Sequence, residues 1–148
     1  KIPARLVHYG NAAADLRRDQ QNKAALAALS YVARHPCWEY ERLDGQRLET
    51  LALTEFPQTV EAMGYIRNPG LREDLLRLSF VLSRGGVFVP AASWGMQRFD
   101  ELLRPEDELV VGVGVDRESG ERTMLFMGAT PGNPAVSLMV ANAVALLK

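Results

Sequence analysis

Asp74 and Arg77 are the two residues whose types and spacing most readily suit chemistry. They stand three positions apart in a leucine-rich segment, so on a helix they share one face and can contact a hydroxyl group and a phosphate together. An exposed ion pair accounts for the same spacing. His8 closes a short apolar run, where a histidine is either a ligand or, more often, a hydrogen-bonded residue of the core. The residues alone leave these alternatives open.

The motifs of several common enzyme classes are missing from the sequence. The run Gly112-Val113-Gly114 begins like a dinucleotide fingerprint, but Arg117 occupies the position of its third glycine, and no GK[ST] motif occurs. Two distant histidines and one cysteine cannot form a four-ligand zinc cluster by themselves. Neither Ser30 nor Ser93 lies in a G-x-S-x-G elbow. A Rossmann dehydrogenase, a P-loop NTPase, a zinc site and a serine hydrolase are therefore disfavoured.

Composition indicates one globular domain over residues 1–148. The chain is 47% hydrophobic, enough for a core, and its 17 Lys and Arg against 18 Asp and Glu give a net charge of −1. That balance predicts no binding to nucleic acid. The single cysteine, Cys37 beside Trp38, is expected to pack rather than react, and it favours a reducing, cytoplasmic location. No apolar stretch approaches the roughly 20 residues of a membrane span.

Apolar periodicity predicts an α/β fold. Short apolar or alternating runs predict strands at residues 5–9, 38–41, 87–89, 109–115 and 123–127. Helical spacing and helix-start signals predict helices at residues 19–34, 48–56, 71–83, 99–103 and 134–147. Asn133 before Pro134 is a cap-and-proline pair that opens the last helix. The order of the elements indicates a sheet flanked by helices.

Two of these helices are expected to bury a stripe of apolar residues. The stripe of the first helix is Leu26, Leu29 and Val32, and that of the third is Leu71, Leu75, Leu78 and Leu82. Turns or breaks are expected at Asp44-Gly45, at Pro57 and at Asn68-Pro69-Gly70. The last helix is apolar on nearly every face, so a partner or a missing segment is expected to cover it.

The stretch 72–89 carries Asp74 and Arg77, then Gly85-Gly86, and then Phe88 near the end of an apolar run. In this order these residues resemble the signature of GT-A-type glycosyltransferases with a DXD motif. That family includes capsular-polysaccharide, α-1,6-mannosyl and α-1,4-galactosyl transferases. Its signature is a helix with S-D-x-x-R, then x-G-G-hydrophobic-Tyr-hydrophobic, then Asp-x-Asp. Phe88 stands at the position of the tyrosine.

Three further segments are similar to patterns of the same family, in the same order. Residues 2–9, Ile2-Pro3-Ala4-Arg5-Leu6-Val7-His8-Tyr9, resemble the opening I-P-K-x-I-H. Residues 35–40, His35-Pro36-Cys37-Trp38-Glu39-Tyr40, resemble the strand N-P-x-x-E-Y. Residues 126–134, Phe126-Met127-Gly128-Ala129-Thr130-Pro131-Gly132-Asn133-Pro134, resemble f-m-a-x-x-P-G-h-P. The resemblance therefore covers nearly the whole chain.

The resemblance implies a GT-A-like domain with a mixed sheet flanked by helices, without the family's later acceptor-side segment. It implies transfer of a sugar from a UDP- or GDP-linked donor to an acceptor. The donor-binding residues that it implies are His8, Tyr9, Asp74, Arg77, Gly85 and Gly86. Tyr9 would stack on the base, although a tyrosine at this position also suits a cap on the core. The double glycine also suits a helix end followed by a change of direction.

The sequence departs from the family where the metal-binding aspartates should stand. Pro90, Ala91 and Ala92 occupy the positions of Asp-x-Asp. In the family those carboxylates hold Mn²⁺ or Mg²⁺ against the nucleotide diphosphate, because hard cations need anionic oxygen ligands. Carboxylates further along, at residues 100–107, either substitute for them or form a solvated charged loop. The alternative function is that of a degenerate relative that binds a nucleotide sugar or a protein partner.

Overall fold

A computed structural model describes residues 1–9, 18–90, 93–115, 120 and 122–147. These residues form five strands and six helices, which confirms the predicted α/β class. In chain order they are β1 (Arg5–Tyr9), α1 (Arg18–Arg34), β2 (Glu39–Leu43), α2 (Gly45–Glu55), α3 (Pro57–Met63), α4 (Pro69–Arg84), β3 (Gly86–Pro90), α5 (Phe99–Leu102), β4 (Leu109–Val115), β5 (Arg122–Ala129) and α6 (Pro134–Leu147).

The strands form one mixed sheet in the order β2-β1-β3-β5-β4. β1 pairs in parallel with β2 and β3, whereas β5 is antiparallel to both β3 and β4. Tyr9 is in register with Leu43 and with Pro90, so the carboxyl ends of the three parallel strands meet at one edge. Ligands of open α/β sheets commonly bind at such an edge.

Side chains of β1 and β3 alternate between two helical layers. Val7, Tyr9 and Phe88 belong to a core cluster with α2, α3, α4 and α6, and this side of the sheet is called the α4 face below. The other side of the sheet is called the α1 face below. It has a second cluster, which contains Ile2, Leu6, Val87 and Val89 together with Tyr31 of α1 and Phe99 of α5. Neighbouring residues of β1 therefore lie in different layers.

The strand predicted at residues 87–89 and the helix predicted at residues 71–83 are confirmed. β3 is the middle strand of the sheet, and its Val87 and Val89 are both 0% exposed. α4 includes the whole predicted range 71–83, and Leu75 is buried. Leu78 is half-buried and Leu71 is exposed, so the predicted leucine stripe only partly faces the core.

The predicted core stripe of α1 is wrong. Leu26, Leu29 and Val32 are 53%, 60% and 41% exposed, whereas Ala27 and Tyr31 are buried. Both sets have helical spacing, so periodicity alone could not choose between them. Tyr31 places a large ring in the aromatic cluster of the α1 face.

The three predicted turns or breaks all lie between elements, and each coincides with the start of a helix. The side chain of Asp44 accepts a hydrogen bond of 2.8 Å from the backbone N–H of Arg47, and so caps α2. Pro57 and Pro69 are the first residues of α3 and α4. Proline suits a first helical turn because its fixed φ is helical and its missing N–H would have no helical acceptor there.

The predicted start of the last helix is confirmed. The side-chain oxygen of Asn133 accepts hydrogen bonds from the backbone N–H groups of Ala135 and Val136. Val136 is fully buried, but Leu138 and Leu146 of the same helix are 61% and 88% exposed. Among the helices that the structure describes, none has the length and hydropathy of a membrane-spanning segment.

Cys37 is exposed, contrary to the expectation that it packs, because it lies in the short connection before β2.

Candidate functional site

Three of the predicted site residues converge on the α4 face. The Nη1 atom of Arg77 lies 3.0 Å from Oδ1 of Asp74, so the two residues share one side of α4 as their spacing predicts. The guanidinium carbon of Arg77 lies 4.4 Å from the ring centroid of Tyr9, a cation–π distance, and 6.0 Å from that of Phe88. Arg77 therefore packs on aromatic rings of the sheet and forms an ion pair with Asp74.

Connectivity explains how these residues meet. α4 and β3 are joined by a reversal at Gly85, so the helix runs back over the strand that follows it. Arg77, near the middle of α4, thereby lies above the carboxyl half of β1. The same arrangement leaves the Asp74 side chain 54% exposed and that of Arg77 22% exposed. The ion pair is therefore accessible to solvent, although most of the Arg77 side chain is covered.

Tyr9 belongs to the core in this structure. It is 3% exposed, and its ring centroid lies 5.9 Å from that of Phe88. Its ring is covered by Arg77 and by the helices of the α4 face, so it supports the arginine rather than offering a surface to a base. Of the two roles that the sequence leaves open for Tyr9, the described packing favours the cap on the core.

A cavity of about 260 Å³ lies beside the ion pair, between α4, the sheet and α6, and is called the α4 cleft below. Asp74 and Arg77 provide its charged side chains, and the rest of its lining is apolar. The apolar residues are Leu78, Val81, Phe88, Met127 and Met139. The sequence did not point to Met127 and Met139, because they come from β5 and α6 and only the fold brings them to Arg77.

His8 lies on the opposite face from Arg77. It is 2% exposed, and its Nε2 atom is 3.0 Å from the carbonyl oxygen of Pro90. Because a carbonyl only accepts, Nε2 carries the proton, and in a neutral imidazole Nδ1 then accepts from the Tyr40 hydroxyl at 2.9 Å. His8 thus joins β2 to the end of β3 and lies away from the α4 cleft.

Gly85 and Gly86 lie at the amino end of β3, and Pro90 lies at its carboxyl end. Five extended residues span about 13 Å between the first and last Cα atoms. The two glycines have φ angles of 65° and 101°, a region that strongly favours glycine. A Cβ atom on Gly86 would lie 2.8 Å from the carbonyl oxygen of Arg5, and one on Gly85 would lie 2.6 Å from a Pro131 side-chain carbon. These glycines serve the change of direction and the close packing there.

The described residues do not fit the metal that the family resemblance implies. At the first of the degenerate positions, the Pro90 carbonyl accepts hydrogen bonds from His8 Nε2 and from Ser93 Oγ. Ala91 and Ala92 lie outside the described residues. Within the described ranges, no group of three or more His, Cys, Asp or Glu side chains is placed to hold an ion. The Asp100 carboxylate instead accepts from the Trp38 indole, which lowers the pKa of Asp100.

Two tyrosines of the α1 face have shifted pKa values. Burial raises the pKa of Tyr31, and the hydrogen bond of 3.0 Å from its hydroxyl to Ser93 opposes that shift. Burial also raises the pKa of Tyr40, against the nearby positive charge of Arg42. Both shifts disfavour the charged phenolate, so this layer suits neutral, hydrogen-bonded side chains.

Comparison with known proteins supports the fold class. No protein-family model and no curated protein sequence matches the chain. A solved structure described as the PaToxG glycosyltransferase matches it with a TM-score of 0.59 at 13% identity, over 97% of this chain and 60% of that one. The chain therefore has a glycosyltransferase-like α/β fold and spans about 60% of the length of that neighbour. At this identity the likeness concerns the fold alone, and function rests on the site.

Proposed function

We propose that this chain is the donor-binding part of a GT-A-type glycosyltransferase and binds a UDP- or GDP-linked sugar at the α4 cleft. The observation that carries the proposal is the Asp74–Arg77 pair, held against Tyr9 beside a cavity, on a glycosyltransferase-like fold. Arg77 contacts the diphosphate, and Asp74 accepts a hydrogen bond from a sugar hydroxyl.

The geometry around Arg77 supports a role with phosphate. A guanidinium plane offers paired N–H donors that match phosphate oxygens, and such charge-assisted bonds are stronger than neutral ones. Stacking on Tyr9 and the bond to Asp74 restrict the side chain, so less rotamer entropy is lost when a ligand binds. Asp74, which is about half exposed, can exchange its contact with Arg77 for a ligand hydroxyl.

The proposal includes no metal-dependent step, because the described residues do not supply a set of metal ligands. At the strand end where the metal-binding aspartates of the family would stand, the Pro90 carbonyl accepts hydrogen bonds from two side chains of the protein itself. This arrangement favours a second candidate function. In that second candidate, the chain binds the nucleotide sugar without transferring it. The two candidates share the donor site and differ only in turnover.

Titration calorimetry with UDP and GDP, each with and without Mn²⁺, tests the shared donor site. We expect binding that does not depend on Mn²⁺, and Arg77→Ala should weaken it about tenfold or more, since a charge-assisted contact is worth about 1.5–3 kcal/mol. Asp74→Ala should reduce stability by less than about 1 kcal/mol, as expected of an exposed pair. Failure of both nucleotides to bind the native chain would overturn the proposal.

Arg72→Ala is the matched control. Arg72 belongs to the same helix and forms its own ion pair, 3.4 Å from Glu49, at a site that does not line the cleft. Its loss should leave nucleotide affinity unchanged. Equal losses in the Arg72 and Arg77 variants would mean that helix charge, and not a phosphate contact, accounts for the effect. Release of nucleotide diphosphate from a nucleotide sugar then separates the enzyme from the binding module.

A further inference from the structure

The two edges of the sheet differ in what their strands carry. β2, at one edge, has Glu39, Glu41 and Arg42 among its five residues, and Glu39 forms an ion pair of 2.9 Å with Arg5. β4, at the other edge, consists of valine, leucine and glycine over its seven residues, with neither a charge nor a proline. Natural edge strands usually carry charges or prolines, because these oppose pairing with another chain. β4 therefore lacks the protection that β2 has.

β4 offers backbone hydrogen-bonding groups and apolar side chains to a further strand. Within the described ranges it pairs with β5 alone, so the N–H and C=O groups of its outer edge face away from the sheet. The register shift between the two strands adds Leu125 on the β5 side, and β4 itself continues without an extra residue. Val111, Val113 and Val115 therefore lie on one side of the sheet, and they are 41%, 55% and 62% exposed. This edge fits an extended chain with apolar residues at every second position.

The charges next to β4 decide which extended chain complements it. Residues 104–108, directly before the strand, contain three acidic side chains and one basic one, and Glu106 and Glu108 are exposed. In an antiparallel pair, the carboxyl end of the added strand lies beside this acidic segment. In a second copy of this chain, β4 is followed by Asp116-Arg117-Glu118, which is itself more acidic than basic. A strand followed by lysine or arginine complements the segment, whereas a second copy does not.

We infer that β4 binds an extended segment of a partner protein as a further, antiparallel strand, with apolar residues at alternate positions and basic residues at its carboxyl end. Backbone hydrogen bonds along the edge supply affinity, and the alternate side chains supply specificity by contact with the exposed valines. The basic residues lie beside Glu106 and Glu108. This surface is separate from the proposed donor site, because Val111, Val113 and Val115 do not line the α4 cleft. The inference therefore does not depend on nucleotide binding.

The probe is a capped synthetic peptide that alternates valine and threonine over the length of β4 and ends in two lysines. NMR titration of the native chain should show binding, with the largest shifts at the backbone amides of β4. Methylation of two successive central amides of the peptide should abolish binding, because one of the two N–H groups faces β4 whichever edge of the peptide pairs. Glutamates in place of the lysines should weaken binding about tenfold at low ionic strength, and less as salt is added. Failure of the lysine peptide to bind, or equal binding of the methylated peptide, would overturn the inference.

Val113→Lys locates the binding on the strand. It places a charge in the middle of the valine row, so it should weaken binding of the lysine peptide tenfold or more. Leu53→Lys is the matched control: Leu53 is 61% exposed, close to the 55% of Val113, and lies in α2. Native affinity in a Val113→Lys chain that unfolds at the native urea concentration would overturn the inference. So would sedimentation that shows a dimer of the native chain which Val113→Lys dissociates, since a second copy would then occupy the edge.

A charge exchange tests the complementarity without changing the strand. The double variant Glu106→Lys with Glu108→Lys should bind the glutamate peptide more tightly than the lysine peptide, which reverses the native order. Glu49→Lys with Glu61→Lys is the matched control, because both residues are exposed on other helices and the net charge changes by the same amount. The control should keep the native order of the two peptides. The native order in the Glu106 and Glu108 variant, or a reversed order in the control, would overturn the inference.

Discussion

The two faces of the sheet differ in what fills them. On the α1 face, the rings of Tyr31 and Phe99 are parallel within 2°, with centroids 6.3 Å apart, and His35 stacks on Phe99 at 5.2 Å. His35 donates to the Tyr31 carbonyl and accepts from the Phe99 backbone N–H. On the α4 face, an ion pair and two cavities lie beside the helices. The α1 face is filled mainly by aromatic packing, with a cavity of about 220 Å³ at its edge beside Trp38 and Asp100, whereas the α4 face has its cavity beside a charged pair.

This difference shows why adjacent residues of a motif need not share a site. His8 and Tyr9 are neighbours in β1, but His8 contacts Tyr31 on the α1 face, with ring centroids 5.6 Å apart, and Tyr9 contacts Arg77 on the α4 face. Side chains of a strand alternate, so a two-residue motif within a strand always divides between layers. His8 serves the fold, whereas Tyr9 supports the candidate site.

Phe99→Ala should have the largest effect on stability and should act through the α1 face. Phe99 is 5% exposed and contacts the rings of Tyr31, His35, Trp38 and Phe126. Loss of a buried phenylalanine costs about 3–5 kcal/mol, which urea unfolding would measure. Met139→Ala in the α4 cleft is the comparison, and it should cost less than about 1 kcal/mol because Met139 is 42% exposed. Similar costs for the two variants would contradict the contrast between the faces.

Gly86→Ala should have the next largest effect, because β3 contributes to both faces. Its φ of 101° is strained for alanine, and the new Cβ would lie 2.8 Å from the Arg5 carbonyl oxygen. Strain and displacement together should cost about 2–4 kcal/mol in urea unfolding. Gly132→Ala is the control: its φ is 68°, but no atom lies within 4 Å of the added Cβ, so only the strain remains. Equal losses would show that the contact with Arg5 is unimportant.

Local signals in the sequence were sufficient for the elements and for one pair of site residues. The run Val87-Phe88-Val89 between glycines and Pro90 predicts a buried strand, and the structure has it as the middle of the sheet. The Asn133-Pro134 pair predicts a helix start that the Asn133 hydrogen bonds confirm. Asp74 and Arg77 form an ion pair because residues three positions apart lie on the same side of a helix.

The remaining features depend on contacts between distant parts of the chain. The apolar residues of α1 have helical spacing on two sides, and only tertiary packing selects Ala27 and Tyr31 as the buried ones. Met127 and Met139 reach the α4 cleft through the antiparallel β5 and the helix after it. The donor-binding roles of His8, Tyr9, Asp74, Arg77, Gly85 and Gly86 stay predictions, although the fold separates His8 and the glycines from Arg77.

After Phe99→Ala and Gly86→Ala, Tyr40→Phe should have a smaller effect on stability, and its pH dependence tests the contrast between the two faces. The Tyr40 hydroxyl donates to Nδ1 of His8, so its removal should cost about 1–2 kcal/mol near neutral pH. Burial raises the pKa of Tyr40 in the folded state, so folding favours the neutral phenol. The stability that this preference contributes is fully present below pH about 10, where unfolded tyrosine ionises, and is lost as pH rises through the folded pKa. A phenolate also cannot donate to His8, which adds to the loss.

Urea unfolding between pH 8 and pH 11 would measure how the free energy of unfolding changes with pH. These limits lie on either side of the ordinary pKa of tyrosine, which is about 10. Phenylalanine does not ionise, so the Tyr40→Phe variant should lose less stability than the native chain over the alkaline limb. Tyr65→Phe is the matched control: Tyr65 is 61% exposed, and its loss should leave the alkaline slope unchanged. If Tyr40→Phe follows the native slope, Tyr40 does not contribute to the alkaline limb. The hydrogen-bonded layer around His8 then tolerates charge, and the contrast between the two faces rests on aromatic packing alone.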